Sequence, residues 1–196
     1  MGPRGGPRPA GIRAGLRLGL LLALLCGPPL WPSTIFAQAA FAEYQNKAHY
    51  LFNFFQFVEF PDELFADAKA PIVIGILGED PLGPLLQQVA LRKTIQGRDL
   101  VIRIYRVGQD LRGANILFIG ASEKNHLPQI LTGLQGSNVL TIANLDGFLE
   151  LGGMIQLVSD KAGARFAINL YAANKAKVRI SSKVLSLAHV VGGNAN

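Results

Sequence analysis

Six short apolar runs punctuate this chain, at residues 72–77, 100–105, 116–119, 139–142, 154–158 and 165–170. They are rich in isoleucine, leucine and valine, and most show no polar alternation, which is the pattern of strands covered on both faces. The run 100–105 alternates more and suits a strand nearer a sheet edge. Helical stretches with legible starts separate them. Asp80-Pro81 places a capping side chain before a proline at the first helical position and opens a helix over 81–90. Ser122 is placed to cap a helix over 123–134, although Pro128 lies within its first two turns and moves the expected start toward Asn125. Asp146 can cap a short turn through Leu151, which Gly152-Gly153 ends. The pattern then predicts a turn at 160–163 joining the last two strands as a hairpin, a short helix over 171–176, and a final helix over 182–190 capped by Ser181. Strand–helix alternation implies a mostly parallel sheet with helices on both sides. The expected fold is a three-layer α/β/α sandwich whose sheet is mostly parallel and carries a C-terminal antiparallel hairpin strand.

What precedes this pattern is a different kind of sequence. Arg4, Arg8, Arg13 and Arg17 form a positive leader, Leu18 to Cys26 is an apolar run too short to span a bilayer comfortably, and Pro28, Pro29 and Pro32 follow. Ala37-Gln38-Ala39 matches a small-residue cleavage site. Residues 1–39 therefore read as a signal peptide and residues 40–196 as one domain; a cut after Ala42 and a retained amino-terminal anchor are the alternatives. Leu25, which precedes Cys26, is not the small residue a lipid-attachment site needs. The leader changes the charge argument. The chain has 19 Lys and Arg against 13 Asp and Glu. Four of the basic residues and none of the acidic ones lie in the leader, so the remainder is close to neutral and a nucleic-acid partner loses its main support. Cys26 is the only cysteine, so the remainder has no disulfide, which an exported domain with a large core tolerates. No later segment is long and apolar enough to span a membrane, so direct membrane insertion is not expected once the leader is removed. The expected location is the periplasm.

Catalytic patterns are thin. Gly75, Gly78 and Gly83 do not make the dinucleotide spacing, and Glu79 and Asp80 put negative charge where a pyrophosphate would lie. His49, His126 and His189 are far apart and have no Cys, Asp or Glu at ligand spacing, so no metal site is expected. There is no nucleophile elbow and no cysteine nucleophile outside the leader. Ser181 and the Asp146–Glu150 pair are explained by capping and surface exposure. No catalytic residue, cofactor or metal is assigned. A hydrolase remains a rival reading, and it requires Asp80, Glu123, Asn144 and Asp146 to converge at the carboxyl ends of the parallel strands.

The stretch Tyr44 to Pro61, YQNKAHYLFNFFQFVEFP, is the most unusual in the chain, with seven Phe or Tyr in eighteen residues. On a helical wheel Tyr44, Ala48, Leu51, Phe55 and Val58 form one stripe, with Phe52 on its flank. Tyr50, Phe54 and Phe57 form a second, and Gln45, Asn46, His49, Asn53 and Gln56 fill the remaining arc. The apolar arc is about twice the width one core-facing side needs. Either the second stripe wedges this helix against another layer, or it is left open for a partner, for which aromatic rings make good anchors.

KAHYLFNFFQFVEFP resembles the amino-terminal motif of the YfiR family of exported regulators. GILGEDPLG, KTIQGRDLVIR, ILFIGASE, VLTIANLDGFLELGGMIQLV and RFAINLYAANKAKVRISSKVLSLA resemble further blocks of that family, in the same order, from about Lys47 to Ala188. Phe60 stands where relatives often have Trp. Some relatives carry cysteine pairs that this chain lacks, so disulfide-based sensing does not transfer. The resemblance implies a non-enzymatic periplasmic regulator that binds the periplasmic region of an inner-membrane diguanylate cyclase and holds it inactive. Cyclic di-GMP is thereby lowered and biofilm formation restrained. It also implies an outer-membrane lipoprotein partner that relieves the repression, and self-association. A periplasmic small-ligand sensor acting on another output, such as a sensor kinase, is the alternative function.

Overall fold

The computed structural model describes Gly2 and residues 33–91, 93–160 and 163–192, with side chains left undescribed at 33–40, 159–160 and 163–164. The leader's charged and apolar segments lie outside the described residues. Residues 40–196 form one compact unit.

Its centre is an eight-stranded sheet. In chain order the strands and helices are α1 (Ser33–Phe55), β1 (Val58–Glu59), β2 (Ile72–Leu77), α2 (Leu82–Ala90), β3 (Thr94–Ile95), β4 (Arg98–Tyr105), β5 (Ile116–Ile119), α3 (Leu127–Gly133), β6 (Leu140–Ala143), β7 (Ile155–Asp160), β8 (Gly163–Asn169), α4 (Leu170–Lys175), β9 (Arg179–Ile180), α5 (Ser182–Leu185) and β10 (His189–Val191). The order across the sheet is β10-β8-β7-β6-β5-β2-β4-β3, and β1 pairs with β9 in a separate antiparallel ladder. The block β7-β6-β5-β2-β4 is parallel throughout. β8 turns back antiparallel to β7, with Leu157 opposite Phe166, and this is the expected C-terminal hairpin strand.

The period-two alternation of strands sends side chains to two layers. Ile72, Ile74, Ile116, Phe118, Leu140, Ile142, Ile155, Leu157, Phe166 and Ile168 face α1, α2 and α4. Leu77, Leu117, Ile119 and Ala143 face α3 and the turns at 145–149. The inner strands β5 and β6 are buried at every residue, which is why their sequences read as unbroken apolar runs. Three layers follow from that two-sided burial, as the alternation of elements predicts.

Several local expectations need correction. Ser122 does not cap a helix. Residues Ala121–His126 form a 3₁₀ segment and the α-helix begins only at Leu127, where Pro128 is tolerated because first-turn N–H groups have no helical partner. The final helix stops at Leu185, and residues 189–191 form strand β10 alongside β8. The helix expected through Val58 ends at Phe55. Phe57 lies in the following turn, its N–H donating to the Phe54 carbonyl at 2.9 Å, and Val58 enters β1. The predicted turn at 160–163 falls partly outside the described residues, but Asp160 and Gly163 pair across it.

Candidate functional site: a plugged crevice and an aromatic seam

Two regions combine polar or aromatic side chains in ways a site requires. The first is the crevice where β2 and β5 lie side by side and their following helices leave toward opposite faces of the sheet. Ligands of open α/β sheets bind at such a switch point, outside the carboxyl ends of the strands. Here the chain fills it. Gly78 has φ +77°, and a Cβ there would collide with Ser122 and Glu123. Glycine thus supplies both the left-handed backbone and the space. Ser122 Oγ accepts from the Glu79 N–H at 2.8 Å and donates to Glu123 Oε1 at 2.8 Å. Glu123 is buried, and its Oε2 lies 3.1 Å from His126 Nδ1.

The order of this chain of contacts matters. The serine hydroxyl points to the carboxylate, and the imidazole binds the carboxylate's far oxygen, so no base touches the hydroxyl. A serine nucleophile needs the imidazole in the middle position. Asp80 accepts from the Leu82 N–H at 2.9 Å, so its capping role survives although the helix starts one residue later. Burial raises its pKa, while the N–H groups of Leu82 and Ala121 and the charge of Lys47 pull it down. Lys47 is itself buried. Its ammonium lies 2.9 Å from Glu43 and 4.9 Å above the Tyr44 ring. Asp146 is exposed. Asp80 and Glu123 each hydrogen-bond to their own neighbours. Among the described residues no cluster of three or more His, Cys, Asp or Glu could hold a metal ion.

The second region is the seam between α1 and β8. Ala48, Leu51, Phe52, Phe55 and Val58 are buried against the sheet, as the first stripe of the wheel requires. The second stripe is divided. Phe54 is only 3% exposed, with its ring 4.5 Å from that of Phe166 on β8. Tyr50 stacks on the same ring, 4.7 Å away and 8° from parallel, yet remains 36% exposed. Phe57 is 38% exposed, and its carbonyl accepts from the Ser181 N–H at 3.0 Å, which ties the end of α1 to the cap of α5. The polar arc of Gln45, Asn46, His49, Asn53 and Gln56 faces solvent. Sequence periodicity could not place Phe166, because its role depends on which strand lies under the helix.

Two cavities flank these regions. A small one, about 160 Å³, opens where β6 and β7 diverge and is lined by Leu134, Thr141, Met154, Asn169, Tyr171 and Lys175 among others. A wider, polar cleft of about 840 Å³ lies between Glu59, Asp62, Gln96, Lys177 and Arg179. Among the described residues, Gln96 and Lys177 are the non-glycine residues with positive φ, 52° and 55°. Each has a local cause. Gln96-Gly97 is the two-residue turn between β3 and β4, and Lys177 follows the end of α4, where Val178 N–H closes back onto the Ala173 carbonyl at 3.0 Å.

Comparison with known proteins places this geometry. A family model described as YfiR/HmsC-like matches residues 44–189, which include α1 from Tyr44, the whole eight-stranded sheet up to His189 and both regions above. The chain belongs to the YfiR/HmsC-like family. That family is regulatory and linked to diguanylate cyclase signalling. None of the curated proteins compared with it matches. Two solved structures are similar over part of the chain. The ABC domain in complex with L-Trp from Streptococcus pneumonia is 12% identical, with a TM-score of 0.46 over 61% of this chain and 55% of that one. A conserved domain protein from Vibrio cholerae O1 biovar eltor str. N16961 is 15% identical, with a TM-score of 0.46 over 60% and 54%. The chain thus spans about half the length of each. Among the described residues of this YfiR/HmsC-like chain, no helix is long and apolar enough to cross a membrane.

Proposed function

We propose that this chain is a periplasmic, non-enzymatic regulator that binds the periplasmic region of an inner-membrane diguanylate cyclase and represses it. Cyclic di-GMP falls and biofilm formation is restrained. The observation that carries the reading is the family match over residues 44–189. Residues 1–39 act as the cleaved signal peptide, and residues 40–196 are the working domain. The partner-binding residues are Tyr50 and Phe57, whose exposed rims supply contact area, with the buried Phe54 packing on the same Phe166 ring as Tyr50. An outer-membrane lipoprotein competes for the regulator and releases the cyclase.

The physical mechanism is linkage. A regulator that binds the inactive cyclase better than the active one shifts the population toward inactivity. A difference of about 3 kcal/mol in binding changes that two-state ratio roughly a hundredfold. Deleting residues 40–196 in the native host is expected to raise cyclic di-GMP, and an unchanged level across growth conditions would overturn cyclase control. The small cavity where β6 and β7 part supports a second reading, a ligand sensor with another output such as a sensor kinase. The membrane protein that co-purifies with the tagged chain decides between them.

A further inference from the structure

The cavity where β6 and β7 part is graded from an apolar depth to a polar rim. Its volume is about 160 Å³. An apolar cavity of about 150 Å³ holds a benzene-sized body, so this one is matched to a small molecule rather than to a chain segment. Leu131, Leu134, Met154 and Ala176 line it and are buried. Thr141, the second residue of β6, also lines it and is 1% exposed. Its hydroxyl accepts from the Met154 N–H at 3.2 Å. Among the described residues nothing accepts the hydroxyl's own proton, which leaves one donor among apolar side chains. An acceptor brought from outside would satisfy it. The half-buried polar groups of the wall are already committed. Ser137 Oγ donates to the Leu134 carbonyl at 2.7 Å, and Asn169 accepts from the Ala172 N–H at 3.0 Å and donates to the Leu149 carbonyl at 3.2 Å.

The rim has a different character. Leu151 and Tyr171 are 47% and 53% exposed there, and Gln135 and Lys175 are exposed beside them. Lys175 has no ion-pair partner among the described residues. None of the residues lining the cavity is acidic. An amine entering the cavity would leave its charge unpaired near an ammonium, whereas a carboxylate can pair with that ammonium. A bare inorganic anion would gain nothing from the apolar depth.

We propose that this cavity binds a small monocarboxylate whose apolar body is about the size of a benzene ring, with the body among Leu131, Leu134 and Met154 and the carboxylate at the rim beside Lys175. The proposal rests on the ligand-sensor reading only for the cavity itself, and it holds whichever membrane protein the chain controls.

Phenylacetate is the probe, with benzyl alcohol as its uncharged counterpart and phenethylamine as its cationic one. The chain has two methionines, Met1 and Met154, so methyl labelling gives two NMR signals that Met154→Leu assigns. Titrating the full chain with phenylacetate is expected to shift the Met154 signal saturably and to leave the Met1 signal in place. Benzyl alcohol should bind about threefold to fivefold more weakly, and phenethylamine more weakly still. Lys175→Gln, at an exposed position that the core does not use, should weaken phenylacetate by about the same factor, the usual worth of one ion pair at a rim, and leave benzyl alcohol unchanged. An unmoved Met154 signal overturns the proposal. So does equal affinity for phenylacetate and benzyl alcohol, or a Lys175→Gln chain that holds phenylacetate as tightly as the wild type. These outcomes concern binding to the chain itself, so they leave cyclase repression to be decided separately by cyclic di-GMP levels.

Discussion

The β2/β5 crevice and the α1/β8 seam are both built where a strand end or a helix meets the sheet, and they close themselves by opposite means. The crevice is closed by short polar contacts over a glycine: Ser122 and Glu123 fill the space above Gly78. The seam is closed by aromatic area, with one ring, Phe166, serving both Tyr50 and Phe54. Polar plugs are exacting, since each buried group must keep its partners. Aromatic seams are tolerant at their rims, so Tyr50 and Phe57 can remain partly in water while Phe54 is sealed. The lesson is that the place where this architecture usually takes a ligand is occupied by the chain itself, while the aromatic seam leaves two rings, Tyr50 and Phe57, partly open.

The contrast breaks most visibly at Phe54. Phe54→Ala removes a fully packed ring from between α1 and Phe166 and should cost about 3–5 kcal/mol in unfolding free energy, measured by denaturant titration. A loss below about 1 kcal/mol would mean that the seam is looser than its geometry indicates.

On the crevice side the expected effect is smaller. Glu123→Gln keeps the shape but removes the charge and leaves one acceptor oxygen where there were two, so Ser122 Oγ and His126 Nδ1 can no longer both donate to a carboxylate. The expected cost is about 1–3 kcal/mol, typical of a hydrogen bond to a buried charged group. Ser122→Ala in the same background should then cost less than it does alone, because the two changes share a contact.

At the seam's rim, Tyr50→Ser and Phe57→Ser should each lower stability by about 1 kcal/mol or a little more, since part of each ring is already in water. Loss of the membrane partner in co-purification, with folding retained, is the outcome that supports Tyr50 and Phe57 as contact residues. Unchanged capture by both variants removes them from the interface.

Much of this was legible from the chain alone, for physical reasons that can be named. Strands β5 and β6 announced themselves because burial on both faces demands unbroken apolar runs. The core stripe of α1 followed from its period, and Asn169 and Ser181 cap α4 and α5 through their side chains, Ser181 in the role its sequence context suggests. What escaped was non-local or very short. β1, β3, β9 and β10 have two or three residues each, and such lengths are fixed by a neighbouring strand rather than by pattern. His189-Val190-Val191 continues an apolar helical face on paper, yet pairs with β8 because that edge is vacant. Ser122 satisfies every local rule for a cap, but its hydroxyl accepts from the Glu79 N–H and donates to Glu123 instead. The division of the second stripe into a buried Phe54 and open rims depends on Phe166, more than a hundred residues away in sequence.

The smallest effect distinguishes the two regions by pH. Burial raises the pKa of Asp80 above its ordinary value, against the pull of the Leu82 and Ala121 N–H groups and the Lys47 charge. A carboxyl whose folded pKa lies above its unfolded one binds its proton more tightly in the native state. Its contribution to stability is therefore full below the unfolded pKa and is lost as pH rises through the folded value. Asp80→Asn cannot ionise, so it should remove that acid-side decline while leaving the slope at neutral pH unchanged. The slope is the proper readout, because the amide also alters the cap on Leu82 and so shifts stability at every pH. Tyr50→Ser, which touches no carboxyl in the seam, should keep the wild-type slope throughout. If Asp80→Asn and the wild type trace parallel stability–pH curves from acid to neutral, then the crevice is wetter than its packing indicates, and the contrast between polar plug and aromatic seam weakens accordingly.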